Sequence, residues 1–449
     1  MFFPRINQYH RAPKKHFESS RVVVLGFTLI ILAGAILLAL PVSGGQGRSI
    51  GFLDAFFTAT SAVCVTGLSV IDVSAQLSRF GQFVLLLLIQ TGGLGFMAFG
   101  VAILLALGRR ISLREKRLIQ ESMNTDQLSS TIILMRKVLL VSLIVESAGM
   151  LLLAFRFVPV YGWNDGLFYS LFHAVSAFCN AGFDLFGNSL LSFAGDPLVL
   201  MPIILLIICG GLGFSVLADL VLEKKLSLYT HLVLWSTGIL LLSGFALTLF
   251  AEWNGALASL PTEDKFLNAL FQSVTLRTAG FASIDQSTLS PLSKFISCLY
   301  MFIGAAPAST GGGVKVTTFV IVLLMVGAAA RGREEPILGK KRLDKDLLLR
   351  ATVVLLIGIS IVFSVSALLI GLHPELPALD LIYESASAFG TVGLSCNITP
   401  RLGTAARIVE IITMFLGRVG PLTLTLSIAR RQSGRDDAIK YPAAKIMIG

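Results

Sequence analysis

Charged residues are scarce in this chain of 449 residues: Asp, Glu, Lys and Arg together make up 14%, against roughly 25% in soluble domains. Histidine and cysteine are sparse as well, at five each. The histidines (His10, His16, His173, His231 and His373) are scattered, which argues against a clustered catalytic or metal-ligating set and hence against an enzyme. The cysteines (Cys64, Cys179, Cys209, Cys298 and Cys396) lie in or beside apolar stretches and form no extracellular framework, so they read as small packing residues. No Gly-Lys-Ser/Thr phosphate loop, metalloprotease motif or nucleophile elbow occurs. A cleavable leader is not evident either: Arg5, Arg11, Lys14, Lys15 and Arg21 precede a first apolar stretch of full membrane-crossing length that lacks a small-residue cleavage site.

What is present is hydrophobicity, with 55% apolar residues and a mean hydropathy of +0.82. The chain is therefore an integral membrane protein. Apolar stretches near the roughly 20 residues needed to cross a bilayer run at 22–40, 80–107, 135–158, 198–222, 230–251, 347–371 and 403–429, with an interrupted one at 291–330. The formal charge of +10 suggests nucleic acid only until its distribution is read. Lys and Arg concentrate in the amino-terminal arm, the 108–137, 223–226 and 328–350 loops and the tail, and are rare in the alternate loops. That is the positive-inside pattern, which puts both termini in the cytoplasm and leaves no basic domain for nucleic acid.

Internal repetition sets the architecture. TATSAVCVTGLSVID (58–72) is echoed by HAVSAFCNAGFDLFG (173–187), QSVTLRTAGFASIDQ (272–286) and ESASAFGTVGLSCNI (384–398). These align on Gly67, Gly182, Gly280 and Gly393. About 25 residues beyond each glycine stands a second landmark: Gly92-Gly93-Leu94-Gly95, Gly210-Gly211-Leu212-Gly213, Gly304 opening GAAPASTGGG, and Gly417-Arg418-Val419-Gly420. The expected fold is an all-α membrane protein of four repeats, each a span, a short pore helix (52–64, 167–179, 265–277, 379–390), a glycine loop and a second span. That makes eight transmembrane spans and four re-entrant pore loops around one central pore. The organisation is a cytosolic arm at 1–21, repeat 1 at 22–107, a cytosolic loop at 108–134, repeat 2 at 135–222, repeat 3 at 228–330, a cytosolic loop at 331–346, repeat 4 at 347–430 and a cytosolic tail at 431–449. Asp54 and Asp380, about 13 residues before their glycines, suit the positive ends of short helices.

Irregular backbone at membrane depth is tolerated only where protein or water satisfies it. Four such segments call for a shared wet axis, where carbonyls replace a cation's hydration shell and glycine permits the geometry. The candidate filter is Val65-Thr66-Gly67, Asn180-Ala181-Gly182, Thr278-Ala279-Gly280 and Thr391-Val392-Gly393, with a cation held at the four glycines. The last loop resembles the opening of the potassium-channel TVGYG sequence without its second glycine. Asp72, Asp184 and Asp285 follow on the outer side, where carboxylates concentrate cations.

On these loops and landmarks the chain resembles the membrane subunit of the Trk/Ktr/HKT potassium-transporter superfamily, most of all the bacterial Ktr type, over nearly its whole length. The resemblance implies a potassium-selective translocation subunit, a homodimer in the cell membrane, and a cytosolic ring of nucleotide-binding regulatory subunits. Potassium would occupy the filter, and nucleotide would bind only the partner. It implies docking through the basic loops, Arg109, Arg110, Arg114 and Lys116 among them, and a tail (Tyr441 to Gly449) reaching the dimer interface. It also makes the break in span 291–330 an intramembrane gate: Gly304, Ala305, Ala306, Pro307, Ala308, Ser309, Thr310, Gly311, Gly312, Gly313 and Lys315. A sodium-permeable or sodium-coupled relative is the nearest alternative, although some sodium-selective members replace the first filter glycine by serine and Gly67 does not. A secondary transporter of another class would need discontinuous helices in paired repeats, whereas the sequence marks only one broken span.

Three further residues carry expectations. Arg418 stands where the first two repeats have Gly93 and Gly211, and a guanidinium inside a membrane is a functional candidate. It is expected to face the pore as a barrier to cations, to bond the gate loop's carbonyls or a buried Glu, or both, since the two readings are compatible. Arg277, within the third loop, is expected to pair with a carboxylate behind the filter, Glu384 being a candidate. His173 is expected to be packed.

Overall fold

The computed structural model describes residues 16–95, 131–220, 226–333, 335–339 and 341–420. The candidate docking residues 109–116 and the tail at 431–449 lie outside them, as do residues 96–107 and 421–429 at the ends of two predicted stretches.

The described residues form an all-α framework with one hairpin of two-residue strands, β1 (Ile337–Leu338) and β2 (Lys341–Arg342). Besides a single turn at Val73–Gln76, its α-helices are α1 (His16–Ala39), α2 (Phe52–Val63), α3 (Arg79–Leu94), α4 (Thr131–Phe178), α5 (Pro197–Leu212), α6 (Phe214–Ala218), α7 (Leu228–Glu252), α8 (Thr262–Thr275), α9 (Pro291–Phe302), α10 (Val316–Ala330), α11 (Lys345–Leu372), α12 (Ala378–Gly390) and α13 (Thr404–Val419). Four are long and apolar enough to cross a membrane, in α1, α4, α7 and α11. Each opens one of the four predicted repeats. Helix α4 is two helices in one, because Gly162 (φ 80°, ψ 171°) breaks the helical path just after Pro159. The chain reverses there and residues 163–178 return as the second repeat's short helix. Helices α2, α8 and α12 hold the same place in the other repeats, with 12, 14 and 13 residues, about 18 to 21 Å of helix.

The distribution of polarity is inverted relative to a water-soluble protein. Leu29, Leu143, Phe155, Leu242, Phe250 and Phe363 are exposed on the long helices, while Thr58, Ser61, Ser176, Gln272, Ser273 and Ser387 are buried on the short ones. This is the arrangement expected when hydrocarbon is the outer solvent and hydroxyls are needed inside to satisfy irregular backbone. The repeats close into a ring in chain order: α3 packs on α4, reaching its returning part through Arg79 to Asp165 and Gly93 to Cys179, α5 packs on α8, α9 on α12 and α13 on α2.

The second helices of the repeats correct the sequence reading. The stretch 198–222 is not one continuous helix, since α5 stops at Leu212 and α6 starts after Gly213 (φ 89°). Helices α3 and α13 end likewise, at Gly95 (φ 81°) and Gly420 (φ 87°). Backbone in this conformation cannot continue a right-handed helix, and glycine adopts it without the penalty a side chain would add. Among the described residues the interruption is thus shared by the second and third repeats rather than confined to 291–330. The non-helical insert of the third repeat, between Phe302 and Val316, is much longer than the single-residue break at Gly213 in the second.

Candidate functional site: a ring of four glycine loops

Each short helix ends in a loop of the same backbone form. Val65, Asn180, Thr278 and Thr391 have positive φ (57°, 57°, 69° and 50°), and so have Gly67, Gly182, Gly280 and Gly393 two residues later (94°, 67°, 83° and 97°). Alternation of hand along three residues turns successive carbonyls to one side and amides to the other. The amides are returned to the short helices: Gly67 N donates to Ser61 Oγ and Gly393 N to Ser387 Oγ, both at 3.0 Å. Thr66 N, Ala181 N and Val392 N donate to the Ser61, Ser176 and Ser387 carbonyls, each at 2.8 Å. Among the described residues no backbone amide donates to the carbonyls of Thr66, Ala181, Ala279 or Val392.

Those four carbonyls mark how closely the loops approach. A Cβ built on Gly67 would lie 2.5 Å from Ala181 O, and one on Gly182 would lie 2.7 Å from Ala279 O. On Gly280 it would collide with Val392 O, and on Gly393 with Thr66 O. The four contacts form a closed cycle in chain order, so all twelve predicted filter residues come together in one ring. Asn180 ties the second loop to the third: its amide meets Thr278 Oγ1 at 3.2 Å, and with its oxygen turned there its nitrogen donates to Ala177 O (3.0 Å) and Ile207 O (3.2 Å).

Outside the ring lies a cavity of about 640 Å³ that all four glycines line. Asp72, Asp184 and Asp285 line it too, while also making its turns. Asp72 accepts from Ser74 N (2.9 Å), Asp184 from Phe186 N and Gly187 N (both 2.8 Å), and Asp285 from Ser287 N (2.9 Å). Burial raises the Asp184 carboxyl above its ordinary range against those amide bonds. The fourth repeat supplies Asn397 instead, which donates to Asp285 at 3.2 Å.

On the opposite side of the ring lies the insert of the third repeat. A Cβ on Gly311 would strike the Thr278 hydroxyl and one on Gly312 the Thr391 hydroxyl, so the insert touches the third and fourth loops directly. It reaches the second repeat through Ala306 N to Gly211 O (3.1 Å) and Phe214 N to Ala308 O (2.9 Å). Lys315 Nζ folds back on Gly311 O at 2.6 Å. The Arg418 guanidinium donates to Thr310 O in the insert and to Gly92 O in the first repeat, with Gly93 O at 3.4 Å. Of the two expectations for Arg418, its contacts are therefore with loop carbonyls.

Arg277 is not where the sequence reading puts it. It donates to Gly304 O at 3.2 Å, at the start of the insert. Glu384 bonds the Thr399 hydroxyl instead. The cause is the short approach between the third loop and the insert, which offers a carbonyl where a carboxylate was expected. His173 is packed as expected, fully buried, stacked on Phe186 at 4.4 Å and bonded to Tyr169 O at 2.7 Å. All five cysteines are free.

The TrkH cation transport protein family matches residues 18–436. The chain belongs to that family. It is 41% identical over 438 residues to the Ktr system potassium uptake protein B of Bacillus subtilis, covering 96% of this chain and 97% of that protein. It is 36% identical over 444 residues to the potassium/sodium uptake protein NtpJ of Enterococcus hirae, covering 97% and 98%. In fold it resembles the crystal structure of the potassium transporter TrkH from Vibrio parahaemolyticus, with a TM-score of 0.71 and 20% identity over 95% of this chain and 87% of that one. The family consists of ion-transport proteins, not enzymes.

One feature of this TrkH-family chain was only half visible in sequence. Asp54 and Asp380 do sit in first helical turns, but each also pairs with the second helix of the preceding repeat: Arg407 with Asp54 at 2.6 Å and Lys294 with Asp380 at 2.7 Å. Arg79 pairs with Asp165 at the third such junction. The bridges clamp neighbouring repeats around the ring. Lys294 and Asp380 are largely buried, with side chains 11% and 15% exposed, so removing one partner leaves a poorly solvated charge. Lys294→Met is expected to destabilise the protein by about 3 kcal/mol, seen as earlier thermal unfolding in detergent. Asp380→Leu added to it should recover part of the loss. An unchanged unfolding temperature for Lys294→Met would mean that the pair contributes nothing.

Proposed function

We propose that the chain is the potassium-translocating subunit of an uptake system, with the ring of glycine loops as its selectivity filter. The observation that carries this is the closed cycle of four loops whose carbonyls have no backbone donor and whose backbone alternates in hand. A ring of carbonyls aimed at one axis replaces a cation's water and offers nothing to an anion. The aspartate-lined cavity would serve as the outer vestibule, and movement would run inward down the membrane potential, about 2.3 kcal/mol per charge per 100 mV. The finer architecture is eight spans and four re-entrant loops about one pore, with both termini cytoplasmic in the plasma membrane. The insert Gly304 to Lys315 is the gate beneath the filter. A homodimer on a cytosolic nucleotide-binding ring is the assembly this reading implies, in line with relatives named as parts of a Ktr system.

A second reading, permeation or coupling of sodium, is favoured by one relative's name as a potassium/sodium uptake protein. Growth at limiting potassium of a host lacking its own uptake systems decides between them. Expression with a matching cytosolic subunit should restore growth, and the chain alone should restore it less. Membrane-inserted protein that restores no growth yet takes up sodium would replace the first reading by the second.

A further inference from the structure

At the end of the molecule remote from the vestibule, α7 and α10 line a groove of about 660 Å³, with Pro336 and the β1 strand completing its wall. Its sides are apolar: Trp235 and Ile239 from α7, Phe319 and Leu323 from α10. None of the described residues fills it. Trp235 is 72% exposed, Leu323 is 53% exposed, and a Cβ on Gly327 would meet no atom within 4 Å. Helix α7 has 25 residues, about 37 Å, so its first turns lie near one membrane interface. At that level the groove ends in His231, Arg331 and Arg333. Neither arginine has a side-chain hydrogen bond or ion pair among the described residues, whereas nearby Arg342 is paired with Glu335.

An apolar groove of membrane depth closed by two unpaired guanidinium groups at the interface matches an acyl chain ending in a phosphate. The two helices that line it are also those that hold the insert. Helix α10 begins at Val316, directly after Lys315, and Tyr229 of α7 donates to Pro307 O at 3.2 Å. Phe319, Val320 and Leu240 pack in one cluster with Ile303 and Ala306. We propose that the groove binds an anionic phospholipid of the inner leaflet, its phosphate at Arg331 and Arg333, and that the bound lipid steadies the insert. The leaflet and the consequence for flux rest on the topology and gate proposed above; the binding does not.

The chain has three tryptophans, so Trp163→Phe with Trp253→Phe leaves Trp235 as the sole emitter in the full-length protein. In phosphatidylcholine vesicles, brominated phosphatidylglycerol should quench it at a mole fraction lower than brominated phosphatidylcholine requires, by roughly fivefold for each arginine engaged. Arg331→Gln with Arg333→Gln should erase that difference, and Gly327→Phe, filling the groove, should weaken quenching by both lipids. Adding inorganic phosphate should leave the preference unchanged. Equal quenching by the two lipids would reduce the groove to ordinary bilayer contact and overturn the proposal. So would shielding of Trp235 from both, as a second copy or another protein seated there would produce, or loss of the preference to free phosphate. Rubidium flux should depend on phosphatidylglycerol content in the parent and not in the double arginine variant. If that dependence is missing while the quenching preference holds, the binding stands and the coupling to the insert is refuted.

Discussion

Gly393→Ser is expected to abolish selective rubidium uptake, and Gly182→Ser to impair it least among the four filter glycines. The grading follows from the ring. Serine at any of the four positions must take a positive φ, which costs about 1 to 3 kcal/mol, and must place a Cβ against a carbonyl of the next loop. At Gly182 the φ of 67° lies in the left-handed region that side chains tolerate best, and the nearest oxygen, Ala279 O, is 2.7 Å from the built Cβ. At Gly393 the φ is 97° and the collision with Thr66 O is the closest of the four. Since the obstructing atom is in each case an oxygen of the ring, relief of the clash moves a proposed ligand. The damage should therefore appear in ion preference as well as in rate, with sodium competing better for rubidium uptake in the order Gly182, Gly67, Gly280, Gly393. A common, ungraded effect would detach selectivity from these contacts. Four variants with parental preference would show that the loops are not the filter.

Why the ring was legible in sequence and its supports were not can be read from the same residues. A glycine forced by a carbonyl neighbour leaves a mark in every repeat, as at Gly67, Gly182, Gly280 and Gly393, and four marks at matching offsets are visible without coordinates. The second landmark has a similar origin. A Cβ on Gly92, Gly210 or Gly417 would collide with the carbonyl of Val63, Phe178 or Phe389, at the end of a short helix. Partnerships across repeats leave no such mark. Arg407 meets Asp54 across 353 positions of sequence, Arg418 meets Gly92 across 326, and Arg277 meets a backbone carbonyl that any residue would supply. Helix ends at Gly95 and Gly213 were missed for another reason. Hydropathy continues past the glycine because the bilayer does, so a composition window reports one span at 198–222 where the backbone makes two pieces, and runs past the end of α3 at Gly95.

Arg418→Gln is expected to raise potassium flux and so is Arg418→Lys, because the contacts of this arginine are those of a latch. Its guanidinium reaches Thr310 O in the insert and Gly92 O and Gly93 O in the first repeat, groups on two different elements. A planar fork with several donors spans them together, whereas an ammonium is a compact point charge on a flexible stem. Lysine thus keeps the positive charge but loses one side of the bridge, and glutamine loses both the charge and the reach. If the arginine acted mainly as an electrostatic barrier, charge alone would matter and lysine would behave as the parent. Rubidium flux into proteoliposomes separates the two, with parallel measurement of folded protein. Both variants high assigns the latch; glutamine high with lysine at the parental level assigns the barrier. Deletion of residues 306 to 313 sets the ceiling, since it removes most of the insert while the ring remains, and it should also free flux from the proposed cytosolic partner. The latch requires the two substitutions to approach that ceiling without altering sodium competition, because neither touches the ring's carbonyls. If a well-folded deletion carries no more rubidium than the parent, the insert is not an obstruction, and the contacts of Arg418 then serve only to pack it.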